Sequence, residues 1–433
     1  MWWASSASPP YFCSMEAEII TIGDELLIGQ TIDTNSAYFG QQMGSIGISI
    51  KRKTAISDHA QAILDALAEA FSRVDLVIMT GGLGPTKDDI TKKTLCTFYE
   101  CGYRRDETVL AHLEQLFAAR GRLMMETNQV QADVPALCET LHNAVGTAPG
   151  MWFDQQGKVL VSLPGVPGEV YHLTEERVIP KLKAKFPLPT IEHRTLVTLQ
   201  KAESLLSRQL ESFEASLPSH LSLAYLPSFN MVKLRLSQTT ESNDTAMAGD
   251  IDRYFAKLQS EIETDVYCLG DIDPALYLSK YLINNNITFS TAESCTGGWV
   301  AHRLMQAPGI SAVYPGSLVA YANDVKSSEL GVDPSIIEAN GAVSEVCALA
   351  MAEGVRKKFG VDLAIATTGI AGPGGGTKEK PVGFVYIAVS TANAQLCKSF
   401  RLFGNREQII QRSSNAALWM VKQLLKMPAD SGL

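Results

Sequence analysis

Thr291-Ala-Glu-Ser-Cys-Thr-Gly-Gly298 is the stretch on which the reading of this chain turns. An apolar, β-prone segment at residues 287–290 runs into it. Trp299-Val-Ala-His-Arg-Leu-Met305 leaves it with apolar residues at helical spacing. A strand would therefore deliver Ser294 into a turn of small residues that opens a helix, expected over residues 296–306. The free N–H groups of a first helical turn and the positive end of its dipole can stabilise an oxyanion or a phosphate.

Outward from that point the same alternation continues. Strands are expected at 318–321, 363–367 and 383–389, and helices at 275–284, 344–359 and 407–425. Residues 15–172 repeat the theme, with apolar strands at 18–22 and 76–79 between helices at 35–46 and 59–74. Continuous apolar strands alternating with helices predict a parallel sheet covered on both faces, with ligands at the carboxyl ends of the strands. Between these regions the texture changes. Short strands at 196–199 and 231–236 and helices at 203–217 and 251–262 predict a small α+β module, with no catalytic constellation in it. The expected organisation is thus an α/β domain over 15–175, the module over 185–265 and a second α/β domain over 270–430. Residues 1–14 lack the charged start and apolar core of a signal peptide and are expected to be a disordered extension.

Composition narrows the function. A chain of 433 residues exceeds one ordinary core, and 46% hydrophobic with 19% charged residues is a globular mixture. The net charge of −9 argues against nonspecific nucleic-acid binding. The eight cysteines are scattered without zinc-finger spacing, as reduced thiols in a cytoplasmic protein would be. No apolar run reaches the length of a membrane span, so no membrane partner is expected.

Ser294 has companions. Tyr321 is expected to end a strand, and Lys326 lies five residues on. A lysine, or a tyrosine assisted by one, can activate a serine once desolvation and nearby charge lower its pKa. The alternative, a serine that only caps the helix starting at Thr296, stays open. The loop Thr367-Thr-Gly-Ile-Ala-Gly-Pro-Gly-Gly-Gly-Thr377 comes after the 363–367 strand. Its small residues let backbone amides approach a phosphate closely, unless it is merely a flexible turn. Arg406 could add a planar donor, or be an ordinary surface arginine.

The motifs Ala292-Glu-Ser-Cys-Thr-Gly-Gly298, Tyr321-Ala-Asn-Asp-Val-Lys326 and Thr368-Gly-Ile-Ala-Gly-Pro-Gly-Gly375 resemble the C-terminal domain of the CinA family. That resemblance implies an amidohydrolase acting on nicotinamide mononucleotide (NMN), with Ser294 as nucleophile and Tyr321 and Lys326 as its activating pair. The backbone N–H groups of Cys295 and Thr296 would form the oxyanion hole. Thr368, Gly369, Gly372, Gly374, Gly375 and Arg406 would bind substrate, with no cofactor for deamidation.

Gly23-Asp-Glu-Leu-Leu-Ile-Gly-Gln30, Asp33-Thr-Asn35, Gly81-Gly-Leu-Gly-Pro-Thr-Lys-Asp-Asp-Ile-Thr91 and Asn128-Gln-Val-Gln-Ala132 also match that family. They imply a three-layer, molybdopterin-binding-like domain. Gly23, Asp24, Asn35, Gly81, Gly82, Gly84, Thr86 and Asn128 would hold a nucleotide there. Some family members hydrolyse ADP-ribose with a divalent metal, which Asp24, Asp88 and Asp89 could hold. The alternative is that Asp88 and Asp89 cap a helix beginning near Ile90. Small nucleotides, NMN and ADP-ribose, are the expected partners, and a homo-oligomer is expected. A non-enzymatic scaffold linked to competence or damage is the third reading.

Overall fold

A computed structural model describes residues 15–86, 89–240 and 249–430. The chain divides into two compact units, 1–191 with 239–246, and 192–238 with 247–433. The expected extension at residues 1–14 lies outside the described residues.

The first unit is built on six strands: β1 (Glu16–Ile22), β2 (Ser49–Ile56), β3 (Leu76–Thr80), β4 (Glu139–Leu141), β5 (Gly150–Gln155) and β6 (Lys158–Leu163), in the order β2-β1-β3-β6-β5-β4. The two-residue period of a strand sorts its apolar side chains onto opposite faces. Ile19, Ile78 and Val161 pack with Phe39 and Met43 of helix α1 (Thr34–Ser45). Ile20, Met79 and Leu160 pack with Ile63 and Leu67 of helix α2 (Ala60–Phe71). Both faces are therefore covered, as expected. The expectation of a parallel sheet needs correction at one edge. β1, β2, β3 and β6 run parallel, but β5 and β4 are antiparallel additions at one edge. Gln156 and Gly157, with φ of 54° and 80°, make the two-residue hairpin turn that reverses the chain between β5 and β6.

The second unit joins two sheets. β7 (Thr190–Leu199), β8 (Leu221–Ser228), β9 (Met231–Thr240) and β10 (Val266–Leu269) form the module, in the order β8-β9-β7-β10. One face of it packs on α3 (Glu203–Ala215) and α4 (Asp250–Glu261) through Leu206, Leu210 and Leu258. Val197, Leu199, Tyr267 and Cys268 instead enter the core of the C-terminal sheet. The module thus runs to Leu269 rather than stopping at 265, and it shares a core with that sheet.

The C-terminal sheet comprises β11 (Phe289–Glu293), β12 (Gly316–Val319), β13 (Leu363–Gly369), β14 (Phe384–Thr391) and β15 (Gln395–Arg401), in the order β12-β11-β13-β14-β15. It is mixed as well: β11 is parallel to β12 and β13, whereas β14 and β15 are antiparallel. Helices α5 (Pro274–Asn284) and α6 (Arg406–Leu425) cover one face through Leu278, Leu282, Met420 and Val421. On the other face Ala292, Ala364, Ala366 and Ala388 leave room for α7 (Glu345–Phe359) to lie close, through Ala348, Met351 and Val355. β11 and β13 are thereby held from both sides, and their carboxyl ends carry Ser294 and the glycine loop.

Candidate functional site

Ser294 comes directly after β11, whose last residue, Glu293, pairs with Val319 on one side and Thr367 on the other. The Ser294 N–H donates to the Thr367 carbonyl at 2.9 Å, so the serine backbone is tied to the neighbouring strand. The chain then turns through Cys295 to Gly298. Gly297 and Gly298 take φ of 61° and 95°, values a side chain would resist. The helix begins only at Trp299 and runs to Leu304. The expected start at Thr296 is therefore corrected, and Ser294 does not cap this helix.

The cap is supplied by Glu293, which the sequence did not single out. Its carboxylate, fully buried, accepts from the N–H groups of Gly298 (3.0 Å), Val300 (3.1 Å) and Ala301 (2.8 Å). It also accepts from the hydroxyls of Thr291 (3.0 Å) and Thr296 (2.7 Å). The amides at the start of the helix are thus already engaged with an anion, which corrects the expectation that they face a ligand. By contrast, no backbone carbonyl among the described residues takes the N–H groups of Cys295 and Thr296. A carboxylate closing a strand that is otherwise Phe-Ser-Thr-Ala was the available signal, because a buried carboxylate needs donors.

Lys326 lies in the first turn of helix α8 (Asn323–Leu330) and is 1% exposed. Its Nζ is 3.2 Å from Ser294 Oγ, and it donates to the carbonyls of Ala320 (2.9 Å) and Tyr321 (3.0 Å). Burial pushes the ammonium below the ordinary lysine value, with the Cys347 and Cys295 thiols acting the other way. Cys295 itself is pushed up to about 12 by burial, so its thiol is a poor nucleophile beside Ser294.

Tyr321 requires a correction. β12 ends at Val319, two residues before it. Its carbonyl holds Lys326, whereas its hydroxyl, on an exposed ring, accepts from Arg406 Nη2 at 3.2 Å. Tyr321 and Lys326 are thus joined through the backbone, and the phenol belongs with Arg406. Arg406 opens α6, behind an Asn405 cap, and its Nη1 donates to the Gly372 carbonyl at 2.8 Å. Arg406, Tyr321 and the glycine loop therefore meet. Thr368 is buried and donates to the Ala342 carbonyl at 2.7 Å. Gly369 is required by packing, since a Cβ there would lie 2.7 Å from Val385 Cγ2. Gly374 and Gly375 sit in the exposed part of the loop.

In the first unit, the Gly81 and Gly23 loops leave the carboxyl ends of β3 and β1. Asn35 ties the first of them to the β6 end. Its Nδ2 donates to the Gly165 carbonyl (2.9 Å) and to Thr80 Oγ1 (3.4 Å). Asn35 Oδ1 is buried and has no hydrogen-bond partner among the described residues. Gly81 packs so closely on β1 that a Cβ would lie 2.3 Å from the Ile22 carbonyl oxygen. Gly82 lies against Thr91 and Gly84 against Asp89. Asp89 accepts from the N–H (2.9 Å) and hydroxyl (2.6 Å) of Thr86. It does not cap the next helix (Thr91–Phe98), whose N-cap is Ile90 without a side-chain bond. Asp24 is exposed in the helical turn Asp24–Leu27, and Asp88 lies outside the described residues. Among the described residues no three His, Cys, Asp or Glu side chains gather to hold a metal. Asn128 is engaged locally, accepting from the Met125 N–H at 3.1 Å.

Two covered sheets with glycine-bearing loops at the carboxyl ends of their strands define an α/β protein of the class that binds ligands at those ends. Residues 18–184 match the family model described as a probable molybdopterin binding domain, and residues 273–425 match that of the CinA C-terminal domain. The chain is 45% identical to a CinA-like protein of Cytophaga hutchinsonii over 411 residues, covering 95% of this chain and 98% of that one. A CinA-like protein of Gemmatimonas aurantiaca is 42% identical, over 93% of this chain and 95% of its own. Among solved structures, the competence/damage inducible protein CihA of Agrobacterium tumefaciens is 38% identical over 36% of this chain and 97% of its own, with a TM-score of 0.34. The chain belongs to the CinA family. Among the described residues no helix is long and apolar enough to cross a membrane.

Proposed function

We propose that the C-terminal site hydrolyses the carboxamide of NMN to a carboxylate and ammonia, through an acyl-enzyme on Ser294. The observation that carries this reading is the buried Lys326 Nζ, 3.2 Å from Ser294 Oγ, with two carbonyls taking two of its hydrogens. When the amine is neutral, its lone pair faces the serine hydroxyl and accepts the proton as Oγ attacks the amide carbon. The oxyanion then formed is stabilised by the N–H groups of Cys295 and Thr296. Collapse breaks the C–N bond, and the Lys326 ammonium returns the proton to the departing ammonia. Water, activated by the same amine, hydrolyses the ester and restores Ser294. Every proton of this route has a carrier in Ser294, Lys326 or water, so EDTA is expected to leave deamidation unchanged. Arg406 and the Tyr321 hydroxyl, beside the glycine loop, would take the phosphate. A scaffold would gain nothing from the cost of burying a lysine against a serine, which favours the enzyme reading.

The test is ammonia release from NMN by the wild type and by Ser294→Ala. The variant is expected to lose roughly four or more orders of magnitude in turnover with an unchanged melt. Near wild-type turnover in a folded variant overturns the assignment.

A second reading rests on Asn35, whose unpartnered Oδ1 lies where the β3 and β6 loops meet. That arrangement supports nucleotide binding in the first unit, with ADP-ribose as the candidate substrate for pyrophosphate cleavage. Two of the three expected metal carboxylates, Asp24 and Asp89, are among the described residues, which hold no converging trio of such ligands. ADP-ribose cleavage abolished by EDTA, with NMN deamidation intact, is the expected outcome. Cleavage that persists in EDTA removes the metal from this reading.

A further inference from the structure

We infer that Glu293 is a positioning residue for the nucleophile: its buried carboxylate holds the turn that presents Ser294 Oγ and the Cys295 and Thr296 amides. This rests on the Ser294 reading and extends it to a residue that touches no reacting atom.

The turn is weak on its own. Four residues, two of them glycines, separate Ser294 from the first helical residue, and the helix beyond it is only Trp299–Leu304. Glycine pairs lose much backbone entropy on ordering, and so short a helix supplies few bonds of its own. Something outside the turn must hold it. Glu293 does so from the adjacent strand, which is itself paired on both sides. Oε2 accepts from Thr296 Oγ1, Gly298 N and Val300 N, while Oε1 accepts from Thr291 Oγ1 and Ala301 N. One carboxylate thus bridges the far side of the turn to the strand end on which Ser294 sits.

Proton counting extends this to the next strand. The Thr296 hydroxyl has one hydrogen, which goes to Glu293. In the 2.6 Å contact between Thr296 Oγ1 and Thr367 Oγ1, Thr367 must then be the donor. Thr367 also accepts the Ser294 N–H through its carbonyl. The path Thr367 to Thr296 to Glu293 has a single direction, and it fixes Thr296 between two strands while the Thr296 N–H stays free for an oxyanion. A glutamine at 293 cannot reproduce it. Wherever its amide nitrogen sits, it faces at least one backbone N–H, Ala301 from one side or Gly298 and Val300 from the other, and two donors cannot bond.

The experiment separates positioning from folding by counting sites. Wild type, Glu293→Gln and Thr296→Val are treated with a fluorophosphonate, which labels an activated serine without needing NMN, and the label is located by mass spectrometry. Thr296→Val keeps shape and the backbone N–H but cuts the hydroxyl path, and serves if Glu293→Gln does not fold. The expected result is labelling of Ser294 that reaches one per molecule in every folded variant but proceeds about a hundred-fold more slowly in Glu293→Gln. The turnover number for NMN should fall in parallel, with KM within roughly three-fold, and Thr296→Ser should recover most of what Thr296→Val loses. A purely structural role predicts fewer labelled molecules at the wild-type rate per site, and that outcome overturns the inference. Wild-type labelling kinetics in both variants also overturns it while leaving the Ser294 reading standing. A wild type that is not labelled at Ser294 removes the nucleophile and this inference together.

Discussion

At the scale of the residue, Lys326 is a buried amine set against the serine hydroxyl. An ammonium almost without exposure, pushed below the ordinary lysine value by burial, has two expected consequences. The active form is the neutral amine, so ammonia release from NMN should rise with pH along a limb set below the usual lysine titration. Stability should respond with a defined sign. Between the lowered folded value and the ordinary value, the unfolded chain binds the extra proton, so stability rises with pH in that window. Below the folded value both states carry the charge, and the full cost of burying it is present. The melting temperature of the wild type minus that of Lys326→Met should therefore increase as pH climbs toward the ordinary lysine value. A flat difference would mean that Lys326 is not desolvated in solution. Ser294 and Lys326 were both legible in the sequence, because a serine in a small-residue turn and a lysine five residues after a tyrosine carry their chemistry in their identity. Glu293 was not legible as a cap, since its five donors come from its own strand, the turn and the first residues of the helix, which only the folded chain brings together.

At the scale of the element, the periodicities placed β1, β3, β7, β9 and β11 to β14, but neither β2, β4, β5, β6, β8, β10 and β15 nor the strand directions. β5 and β14 have the same continuous apolar character as their parallel neighbours, because burial on both faces demands it whichever way the chain runs. The local signal was in the turn: Gln156-Gly157 can reverse a chain in two residues, whereas a parallel return needs a crossover. Arg406 was placed on weak grounds by sequence, yet the start of α6 brings it to both Gly372 and Tyr321. This contact yields a prediction. Tyr321→Phe keeps the carbonyl that holds Lys326, so it should spare the turnover number and raise KM for NMN, by roughly ten-fold or about 1.4 kcal/mol. Arg406→Lys keeps the charge but loses the planar fork, and should do the same. If the two act as one unit, the double variant should be little worse than either alone. Fully multiplicative effects would assign them separate contacts with the substrate.

At the scale of the whole molecule, sequence texture separated the small module from the C-terminal domain, whereas their side chains share one core. Val197 and Leu199 of β7 and Tyr267 and Cys268 of β10 are buried with Phe289, Leu363, Val385 and Met420. Polar contacts reinforce the join: Lys422 Nζ donates to the Tyr267 carbonyl (2.6 Å), and Asn415 Nδ2 to the Phe229 carbonyl (2.8 Å). A boundary near 270 looks natural in sequence because the pattern of elements changes there, but pattern does not report what the far face of a sheet covers. Every residue assigned to deamidation lies after Ile287, within the second unit. A fragment of residues 190–433 should therefore melt cooperatively and release ammonia from NMN at the full-length turnover number. A fragment of 270–433 keeps the site residues but loses β7 and β10. Exposing the apolar faces those strands cover costs about 1.5–3 kcal/mol for each large side chain uncovered. Its melting temperature should fall by roughly 10 °C or more, at about 2–4 °C per kcal/mol for a domain of this size. Calorimetry and the ammonia assay on the two fragments check both statements. Equal melting temperatures would show the module to be only a neighbour, and loss of deamidation in residues 190–433 would show that the first unit completes the site.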